Sequence, residues 1–225
     1  PVFWAHTLVN KNKQYVQMIG AMAGDKANEI MEMLNGDAIG TAAEHAGIKS
    51  DNITDIFKKI LQNQYNFEKG DFIILNDEAY ELKQIHFHEP SEHTINGIRY
   101  PLEMHLVHLN KDNKIAVLAI MAKEGESSEP FAFLEKYLPV KNGETKLIDT
   151  DFDLNKNLPS DKGYYTYGGS LTTPPCTENV TWFVYKTPIT ISEDQVKQLQ
   201  KLMPLNNYRL EQPVNGRIVK QYTSH

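Results

Sequence analysis

The sequence has little of three features that commonly reveal where a protein works. Its 225 residues include a single cysteine, Cys176, so an internal disulfide is excluded and cysteine usage indicates no compartment. No apolar run approaches the roughly 18 residues that a membrane-spanning helix needs. Residues 1–12 contain no basic stretch followed by an apolar one, so no signal peptide is visible.

Basic residues are also in the minority. The 23 Lys and Arg residues are outnumbered by 29 Asp and Glu residues, the formal net charge is -6, and the basic residues are scattered. A nucleic-acid surface needs clustered positive charge, so we expect neither a nucleic-acid nor a membrane partner. A hydrophobic share of 40% in 225 residues supports a sizeable core, in one domain or one domain with a small appendage.

A group of histidines dominates what the sequence does contain. Side chains alternate between the faces of a strand, so His86 and His88 should project from one face. Asn96-Gly97 is typical of a tight hairpin turn, which can bring His105 alongside them on a neighbouring strand. Three imidazoles leave the fourth position of a tetrahedral zinc ion open, as in catalytic zinc sites. Ordinary hydrogen-bonded sheet histidines are the alternative, but the paired spacing with a third histidine favours a metal site.

Polar residues near these histidines are candidates to orient them. Metal-bound histidines usually donate their other ring N–H to an amide, carboxylate or carbonyl oxygen. Gln84 lies two residues before His86, and Glu103 lies two residues before His105, so each shares its histidine's strand face. Glu92 is the next carboxylate candidate; the alternative for it is an ordinary surface acid.

The hydrophobic pattern divides the chain near residue 65. Residues 13–65 carry apolar residues at helical spacing, with several methionines, and predict three or four short helices packed on the rest of the chain. Beyond them, strands are predicted at 72–75, 80–85, 103–108, 115–121 and 180–185. Helices are predicted at 130–137 and at 192–202, the latter capped by Ser192. Residues 141–163 are predicted to form a long polar loop.

A second dense segment, residues 167–178, reads Tyr-Gly-Gly-Ser-Leu-Thr-Thr-Pro-Pro-Cys-Thr-Glu. Gly168 and Gly169 let the backbone approach a neighbour closely or adopt positive φ. The prolines hold the residues before them extended. By composition alone this is a rigid loop, but a threonine hydroxyl beside a zinc-bound hydroxide could accept its hydrogen bond and direct a lone pair at a substrate.

Taken together, these motifs resemble the α-class carbonic anhydrases, in their bacterial branch. The motifs are Gln84-x-His86-x-His88, Pro90-Ser91-Glu92-His93, Pro101-Leu102-Glu103-x-His105-Leu106-Val107-His108, residues 169–178 and residues 208–217. They occur in the family's order and at near-family spacing between about residues 66 and 220. The resemblance implies an α+β fold in which residues 66–225 form a central, mostly antiparallel β-sheet that carries the zinc site. Residues 1–65 would be an atypical, mainly helical segment packed on that sheet.

The resemblance also implies Zn2+ as the cofactor and the reversible hydration of carbon dioxide to bicarbonate by zinc-bound hydroxide. It implies His86, His88 and His105 as zinc ligands, Gln84 and Glu103 as their hydrogen-bond partners, Thr172 as acceptor from the hydroxide, Glu92 as acceptor from Thr172, Thr173 as a lining residue, and Val107, Val117, Leu171 and Trp182 as an apolar wall for carbon dioxide. Sulfonamide and anion inhibitors would bind at the zinc, and the location would be periplasmic or secreted.

The first 65 residues depart from the family pattern. They lack the motif that carries the family's proton-shuttle histidine, and they lack the cysteine that would pair with Cys176. His6, in Ala5-His6-Thr7-Leu8, is the candidate proton shuttle. The helical segment could pack on the sheet, which we prefer, or serve a partner, including a second copy in a homodimer.

Two functional hypotheses from different classes stay open at this point. One is a zinc carbonic anhydrase, a lyase, for which the metal hydroxide could also supply side esterase activity. The other is a catalytically weak or inactive carbonic-anhydrase-like module that binds zinc or a partner. Family members that lose activity typically lose a zinc histidine, and all three are present here, which favours the enzyme.

Overall fold

The computed structural model describes residues 14–19, 64–67, 71–128, 131–132, 145–150, 154–174, 176–201 and 206–224. Its strands are β1 (Gln14–Ile19), β2 (Gln64–Phe67), β3 (Phe72–Leu75), β4 (Glu78–His88), β5 (Thr94–Ile95), β6 (Ile98–Arg99), β7 (Leu102–Asn110), β8 (Ile115–Glu124), β9 (Thr145–Thr150), β10 (Tyr164–Ser170), β11 (Glu178–Tyr185), β12 (Ile189–Ile191) and β13 (Lys220–Tyr222). A 3-10 helix covers Leu154–Asn157, and an α-helix, α1, covers Glu193–Gln200. Within these residues no helix is both long and apolar enough to cross a membrane.

A large twisted sheet organises the described part of the chain. Nine of its strands follow the order β13-β10-β11-β8-β7-β4-β2-β1-β9, while β12 pairs with β8 and β3 pairs with β4. The pairs β8–β11 and β8–β12 are parallel, and the other pairs of this sheet are antiparallel. The expected mostly antiparallel central sheet is therefore confirmed.

Alternation along β7, β8 and the part of β4 that follows its register shift at Leu82–Gln84 gives the centre of this sheet two different faces. One face carries Phe87 of β4, Met104 of β7 and Ile120 of β8, all within the main hydrophobic core. The other face carries His86 and His88 of β4 and His105 of β7, together with a second, smaller apolar cluster that includes Val107 and Val117. The main core thus fixes the register of the strands, and this register determines which side chains meet on the opposite face.

The hairpin prediction is confirmed in detail. Asn96 and Gly97 have φ of 53° and 75°, the left-handed values that a tight two-residue turn between β5 and β6 requires. Asn113, with φ of 59°, likewise turns the chain between β7 and β8. The chain returns along β7 antiparallel to β4, and His105 lies directly opposite His86.

The helix prediction is wrong for Gln14–Ile19, which form β1. The segment Tyr-Val-Gln-Met-Ile is rich in residues that suit a pleated strand, and β2 and β9 hydrogen-bond to its two edges. Pairing on both sides satisfies the backbone N–H and C=O groups of this segment. This pairing outweighs the apolar spacing of Met18 and Ile19, on which the helix prediction was based. The helix prediction is also wrong for Gln64 and Tyr65, the first two residues of β2. The rest of the predicted helical segment, residues 13 and 20–63, lies outside the described residues, as does most of the predicted helix at 130–137.

Two other local predictions have clear outcomes. The loop expected over residues 141–163 is wrong for Thr145–Thr150, which form β9 against β1. Their alternation was too short and too polar to indicate a strand without its partner. The capped helix is confirmed: the Ser192 hydroxyl accepts from the Gln195 amide, and the Gln195 side chain accepts from the Ser192 amide.

Candidate metal centre

Three buried histidines converge on the face of the sheet opposite the main core. His86 and His88 come from β4, and His105 comes from β7, where it is paired with His86 across the two strands. Their exposed fractions are 5%, 2% and 1% respectively. Since each strand is fixed by the core on its other face, the three rings are held together before any ligand is present.

The ring nitrogens that face one another have the spacing of a metal site. His105 Nδ1 lies 3.2 Å from His86 Nε2, and one nitrogen from each of the three rings falls within 4.8 Å of the other two. Zn–N bonds of 2.0–2.1 Å in a tetrahedron place neighbouring nitrogens roughly 3.3–3.4 Å apart. His88 Nε2 is buried and has no hydrogen-bond partner among the described residues. A buried polar atom without a partner is costly, and a divalent metal ion at this position would satisfy it.

The other ring nitrogen of each histidine contacts an oxygen of the protein. His86 Nδ1 lies 2.7 Å from Gln84 Oε1, and His88 Nδ1 lies 2.6 Å from the carbonyl oxygen of Asn207. The third contact joins His105 Nε2 to Glu103 Oε1 at 2.7 Å. These oxygens accept hydrogen bonds, so each outer ring nitrogen carries the proton and the inner nitrogen keeps its lone pair.

Glu103 is the most connected residue of the site. It is fully buried, and its Oε2 accepts from the backbone amides of Glu92 and His93 at 2.8 Å each. Its Oε1, already shared with His105, lies 2.5 Å from His93 Nδ1. His93 Nε2 in turn lies 2.7 Å from the Tyr167 hydroxyl. A chain of hydrogen bonds therefore runs from the metal position outward to β10.

Burial and charge act in opposite directions on this chain of groups. Burial penalises the carboxylate of Glu103, but His93 and His105 outweigh it and hold the Glu103 pKa well below its ordinary value. Burial acts to lower the pKa of His93, yet the Glu103 carboxylate outweighs it and the pKa is raised. For His88 burial dominates, so its pKa is lowered and the ring is held neutral, as a metal ligand must be.

Glu92 and Thr172 both line a cavity of about 550 Å3, which His93 and Tyr167 also line and of which His86, His88 and His105 are not lining residues. Glu92 Oε1 accepts from the backbone amide of Arg209 at 2.8 Å and lies 3.4 Å from His88 Nδ1. Glu92 Oε2 is buried and has no hydrogen-bond partner among the described residues. The structure therefore brings Glu92 and Thr172 to one cavity without forming the hydrogen bond expected between them.

The residues expected to form an apolar wall lie in or against one cluster. Val107, Val117 and Trp182 belong to the smaller apolar cluster, and Leu171 packs against it. The Trp182 ring lies 4.9 Å from the His105 ring, measured between centroids. Thr173 is buried, and it lies two residues after Leu171 in the loop between β10 and β11. His6 lies outside the described residues.

Sequence reasoning gave no role to four residues that the structure places in contact with this site. They are His93, Tyr167, Asn207 and Arg209. His93 stands next to Glu92 in one of the motifs above, but it lies in a bend between β4 and β5, where strand alternation does not indicate the direction of a side chain. The two tail residues contact the site only because the chain returns from more than 100 residues away, and no local pattern indicates such a return.

The described sheet is mostly antiparallel, and it carries three inward-facing histidines, each contacting an oxygen of the protein, that together could hold a metal ion. The model of the family described as eukaryotic-type carbonic anhydrase matches residues 48–223. The chain therefore belongs to the carbonic anhydrase family of the eukaryotic, or α, type.

Individual relatives agree with this assignment. A carbonic anhydrase of Klebsiella pneumoniae is 43% identical over 150 residues, which cover 67% of this chain and 61% of the relative. The α-carbonic anhydrase of Thermovibrio ammonificans, solved with the inhibitor sulfanilamide, has a TM-score of 0.68 at 38% identity and covers 70% of each chain. The Photobacterium profundum α-carbonic anhydrase has a TM-score of 0.71 at 30% identity, covering 97% of this chain and 81% of that one. The chain spans less than two-thirds of the Klebsiella relative's length.

Proposed function

We propose that this protein catalyses the reversible hydration of carbon dioxide to bicarbonate and a proton, with Zn2+ held by His86, His88 and His105. The observation that carries the proposal is the convergence of three inner ring nitrogens, each from a histidine whose outer nitrogen is already bonded to the protein. This donor set suits zinc in its catalytic form, because three imidazoles leave one coordination position open. Family membership supports the reaction.

The chemistry needs both a metal and residues that prepare it. As in carbonic anhydrases generally, bound zinc would act as a Lewis acid and lower the pKa of a coordinated water, giving a nucleophile near neutral pH. Gln84 and Glu103 fix the orientation of His86 and His105, and the Asn207 carbonyl fixes His88. Preorganised ligands of this kind avoid a cost of reorganisation during the reaction.

Thr172 and Glu92 are proposed to select the orientation of the nucleophile. Glu92 Oε2 is a buried acceptor without a partner among the described residues, and Thr172 lines the same cavity. If the Thr172 hydroxyl donates to Glu92 Oε2, its own oxygen can only accept a further hydrogen bond. Thr172 would then accept a hydrogen bond from a group that carries a hydrogen at the reaction centre, and it would disfavour groups that have no hydrogen to donate.

The apolar cluster is proposed to hold carbon dioxide, which has no charge and little capacity for hydrogen bonds. Val107, Val117, Leu171 and Trp182 form or border this cluster, and Thr173 would line the approach to it. Such a surface holds an apolar substrate while excluding ordered water. Sulfonamides and anions are proposed to bind at the open metal position; the Thermovibrio relative was solved with such an inhibitor.

The proposal is tested by measuring carbon dioxide hydration in a stopped-flow instrument with a pH indicator, on protein shown to contain one zinc per chain. We expect activity in the wild-type protein and its loss, together with loss of zinc, in His105→Ala. His108→Gln is the matched control: His108 is a buried histidine of the same strand whose Nδ1 contacts the Leu106 carbonyl oxygen. One bound zinc without hydration activity would contradict the proposal and favour a zinc-binding module.

Dependence on buffer tests the proton shuttle. The proton released at the site must reach solvent, a step suited to a histidine whose pKa is near neutrality. His6 is the residue proposed for this step. If His6 carries the proton, activity should be nearly independent of buffer concentration and should fall in His6→Ala, with imidazole restoring it. Activity that rises with imidazole equally in both proteins would exclude His6.

A further inference from the structure

Arg99, at the end of β6, lies between the Glu92 backbone and the C-terminal segment 207–211. We propose that Arg99 is a positioning residue that holds the Glu92 carboxylate in place by fixing this segment. The inference rests on the proposed role of Glu92 in carbon dioxide hydration. It concerns a residue outside every motif used above, and its contacts are specific to the side chain present here.

One side of the Arg99 guanidinium binds the backbone just before and at Glu92. Its Nη1 donates to the carbonyl oxygen of Ser91 and, at 3.4 Å, to that of Glu92. Ser91 is fully buried, and its hydroxyl and amide are bonded to His93 and Tyr100. Arg99 is therefore attached to a buried, hydrogen-bonded point beside the hairpin of β5 and β6.

The other side of the guanidinium binds the C-terminal segment. Arg99 Nη2 lies 2.5 Å from Glu211 Oε1, and its central carbon lies 4.5 Å from the centroid of the Tyr208 ring. Between these two residues lies Arg209, whose amide donates to Glu92 Oε1 at 2.8 Å. The contacts close a ring: from the Glu92 backbone through Arg99 to the segment, and back through the Arg209 amide to the Glu92 carboxylate.

A second set of contacts holds the same segment, but at a different point. The Asn207 side chain accepts from the Glu89 amide at 2.7 Å and donates to the Phe87 carbonyl at 3.0 Å. These contacts fix the backbone beside His88. They are made by Asn207, which lies two residues before Arg209. Loss of the Arg99 contacts should therefore loosen residues 208–211 while leaving the contact between Asn207 and His88 intact.

The position of the Glu92 carboxylate depends on that distinction. Glu92 is buried, its Oε2 has no partner among the described residues, and the Arg209 amide is the donor to its Oε1. If the amide moves away, the carboxylate loses this donor at a site where an unpaired charge is costly. It would then turn towards His88 Nδ1, now 3.4 Å distant, and away from the geometry proposed for Thr172.

The role requires the shape of arginine in addition to its charge. A planar guanidinium offers several N–H groups in a fixed fork, so it can bind backbone carbonyls on one edge, a carboxylate on another and an aromatic ring on its face. A lysine keeps the charge but has one ammonium group, which cannot span these partners together. Arg99→Lys is thus the informative variant. Arg99→Gln is the second variant, in case the lysine keeps some of the contacts that Arg99 makes with Glu92 and residues 208–211.

The first test needs no enzymatic activity. Amide hydrogen exchange of zinc-loaded protein is measured by NMR at the Arg209 and Glu89 amides. We expect Arg99→Lys and Arg99→Gln to speed exchange at Arg209 by about tenfold or more, while Glu89, held by Asn207, is unchanged. Lys197→Gln, which removes an ion pair on α1, is the control and should change neither amide. Unchanged exchange at Arg209 in both Arg99 variants would overturn the proposal.

The second test is a kinetic double-mutant cycle with Glu92→Gln. If Arg99 acts through Glu92, Arg99→Lys should lower kcat by roughly tenfold in the wild-type background and change it little in the Glu92→Gln background. KM for carbon dioxide and zinc affinity should stay the same. Equal loss in both backgrounds, or weaker zinc binding, would overturn the proposal. A wild-type protein without hydration activity would count against the proposed function alone, because the exchange test would still report on Arg99.

Discussion

At the scale of single residues, the two ring nitrogens of each inward histidine have different roles. The outer nitrogen is bonded to Gln84, Asn207 or Glu103, and the inner one faces the metal position. The proton must sit on the outer nitrogen for the inner lone pair to be available. Removal of an outer acceptor should therefore weaken metal binding without removing any ligand.

Gln84→Leu tests this separation of tasks. The substitution keeps the approximate size of the side chain but removes the oxygen 2.7 Å from His86 Nδ1, so the ring loses its orientation and tautomer preference. We expect zinc affinity to fall about 10–100-fold, measured by competition with a chromophoric chelator. Gln200→Leu is the control, because Gln200 hydrogen-bonds to Glu89 and to none of the three histidines. Equal zinc affinity in wild type and Gln84→Leu would contradict the role of Gln84.

His88 gives a pH dependence whose sign follows from its burial. Its pKa in the folded protein is lowered from the ordinary histidine value of about 6.5, chiefly because burial disfavours the charged ring. The unfolded chain therefore binds a proton below about pH 6.5 that the folded chain does not, so the contribution of His88 to stability falls as the pH drops. The slope is at most about 1.4 kcal/mol per pH unit for one group.

This prediction is checked by urea unfolding of the zinc-free protein between pH 5 and 7.5. The stability of wild type relative to His88→Gln should decrease as the pH is lowered below about 6.5. Other titrating groups act alike in both proteins and cancel in the difference. A difference that stays constant over this range would show that the His88 pKa is not lowered.

At the scale of elements, β10 and β11 support the site through a close approach at one glycine. A Cβ added to Gly169 would lie 2.8 Å from Cε2 of Tyr167 and 3.1 Å from Cδ1 of Trp182. Both rings contact the site: Tyr167 through His93, and Trp182 through His105. The absence of a side chain at Gly169 is thus what allows the two rings to stack, with centroids 6.3 Å apart and an angle of 8° between them.

Gly169→Ala should therefore disturb both stability and the site. We expect a loss of about 1–3 kcal/mol in the free energy of unfolding, because rigid aromatic rings must move, and weaker zinc binding as Tyr167 shifts from His93. Gly168→Ala is the neighbouring control, since a Cβ there meets nothing within 4 Å, and its stability should change by about 0.5 kcal/mol or less. Chemical denaturation of the zinc-free proteins measures the free energy of unfolding of both variants. If the two substitutions behave alike, the close packing at Gly169 is not limiting.

The elements also show how far a sequence can predict this structure. The alternation of β4 and β7, and the turn at Asn96-Gly97, were enough to place His86, His88 and His105 together, because local geometry decides face and register. The same parity placed Gln84 and Glu103 against their histidines. The prediction for Gln14–Ile19 was wrong because this strand forms by pairing with β2 and β9. No local sequence pattern contains information about those partners.

Contacts made by the returning chain were out of reach for a related reason. Asn207 is 119 residues from His88, and the Arg209 amide is 117 residues from Glu92. Their approach depends on the path of the whole tail across the sheet, to which strand parity and turn chemistry do not apply. The hydrogen bond expected between Thr172 and Glu92 is not formed, and Glu92 Oε2 has no hydrogen-bond partner among the described residues. The sequence does not predict this, because the rotamer of a buried side chain depends on its neighbours in the folded structure.

At the scale of the whole molecule, the metal position joins parts of the chain that are far apart in sequence. The three histidines proposed as ligands come from two central strands, their hydrogen-bond partners extend to residue 207, and the apolar cluster reaches β11 through Trp182. A metal ion bound here would contact three side chains that an unfolded chain keeps apart. Binding should therefore stabilise the fold as a whole.

Zinc should raise the free energy of unfolding in proportion to the logarithm of its concentration above Kd. A ligand that binds only the folded state adds about 4 kcal/mol at a thousandfold excess over Kd. We expect zinc to raise Tm in wild type, to have no effect in His105→Ala, and to have the wild-type effect in His108→Gln. Differential scanning calorimetry at several buffered zinc concentrations measures the shift. An equal rise in His105→Ala would mean that zinc stabilises the protein from a position other than the three histidines.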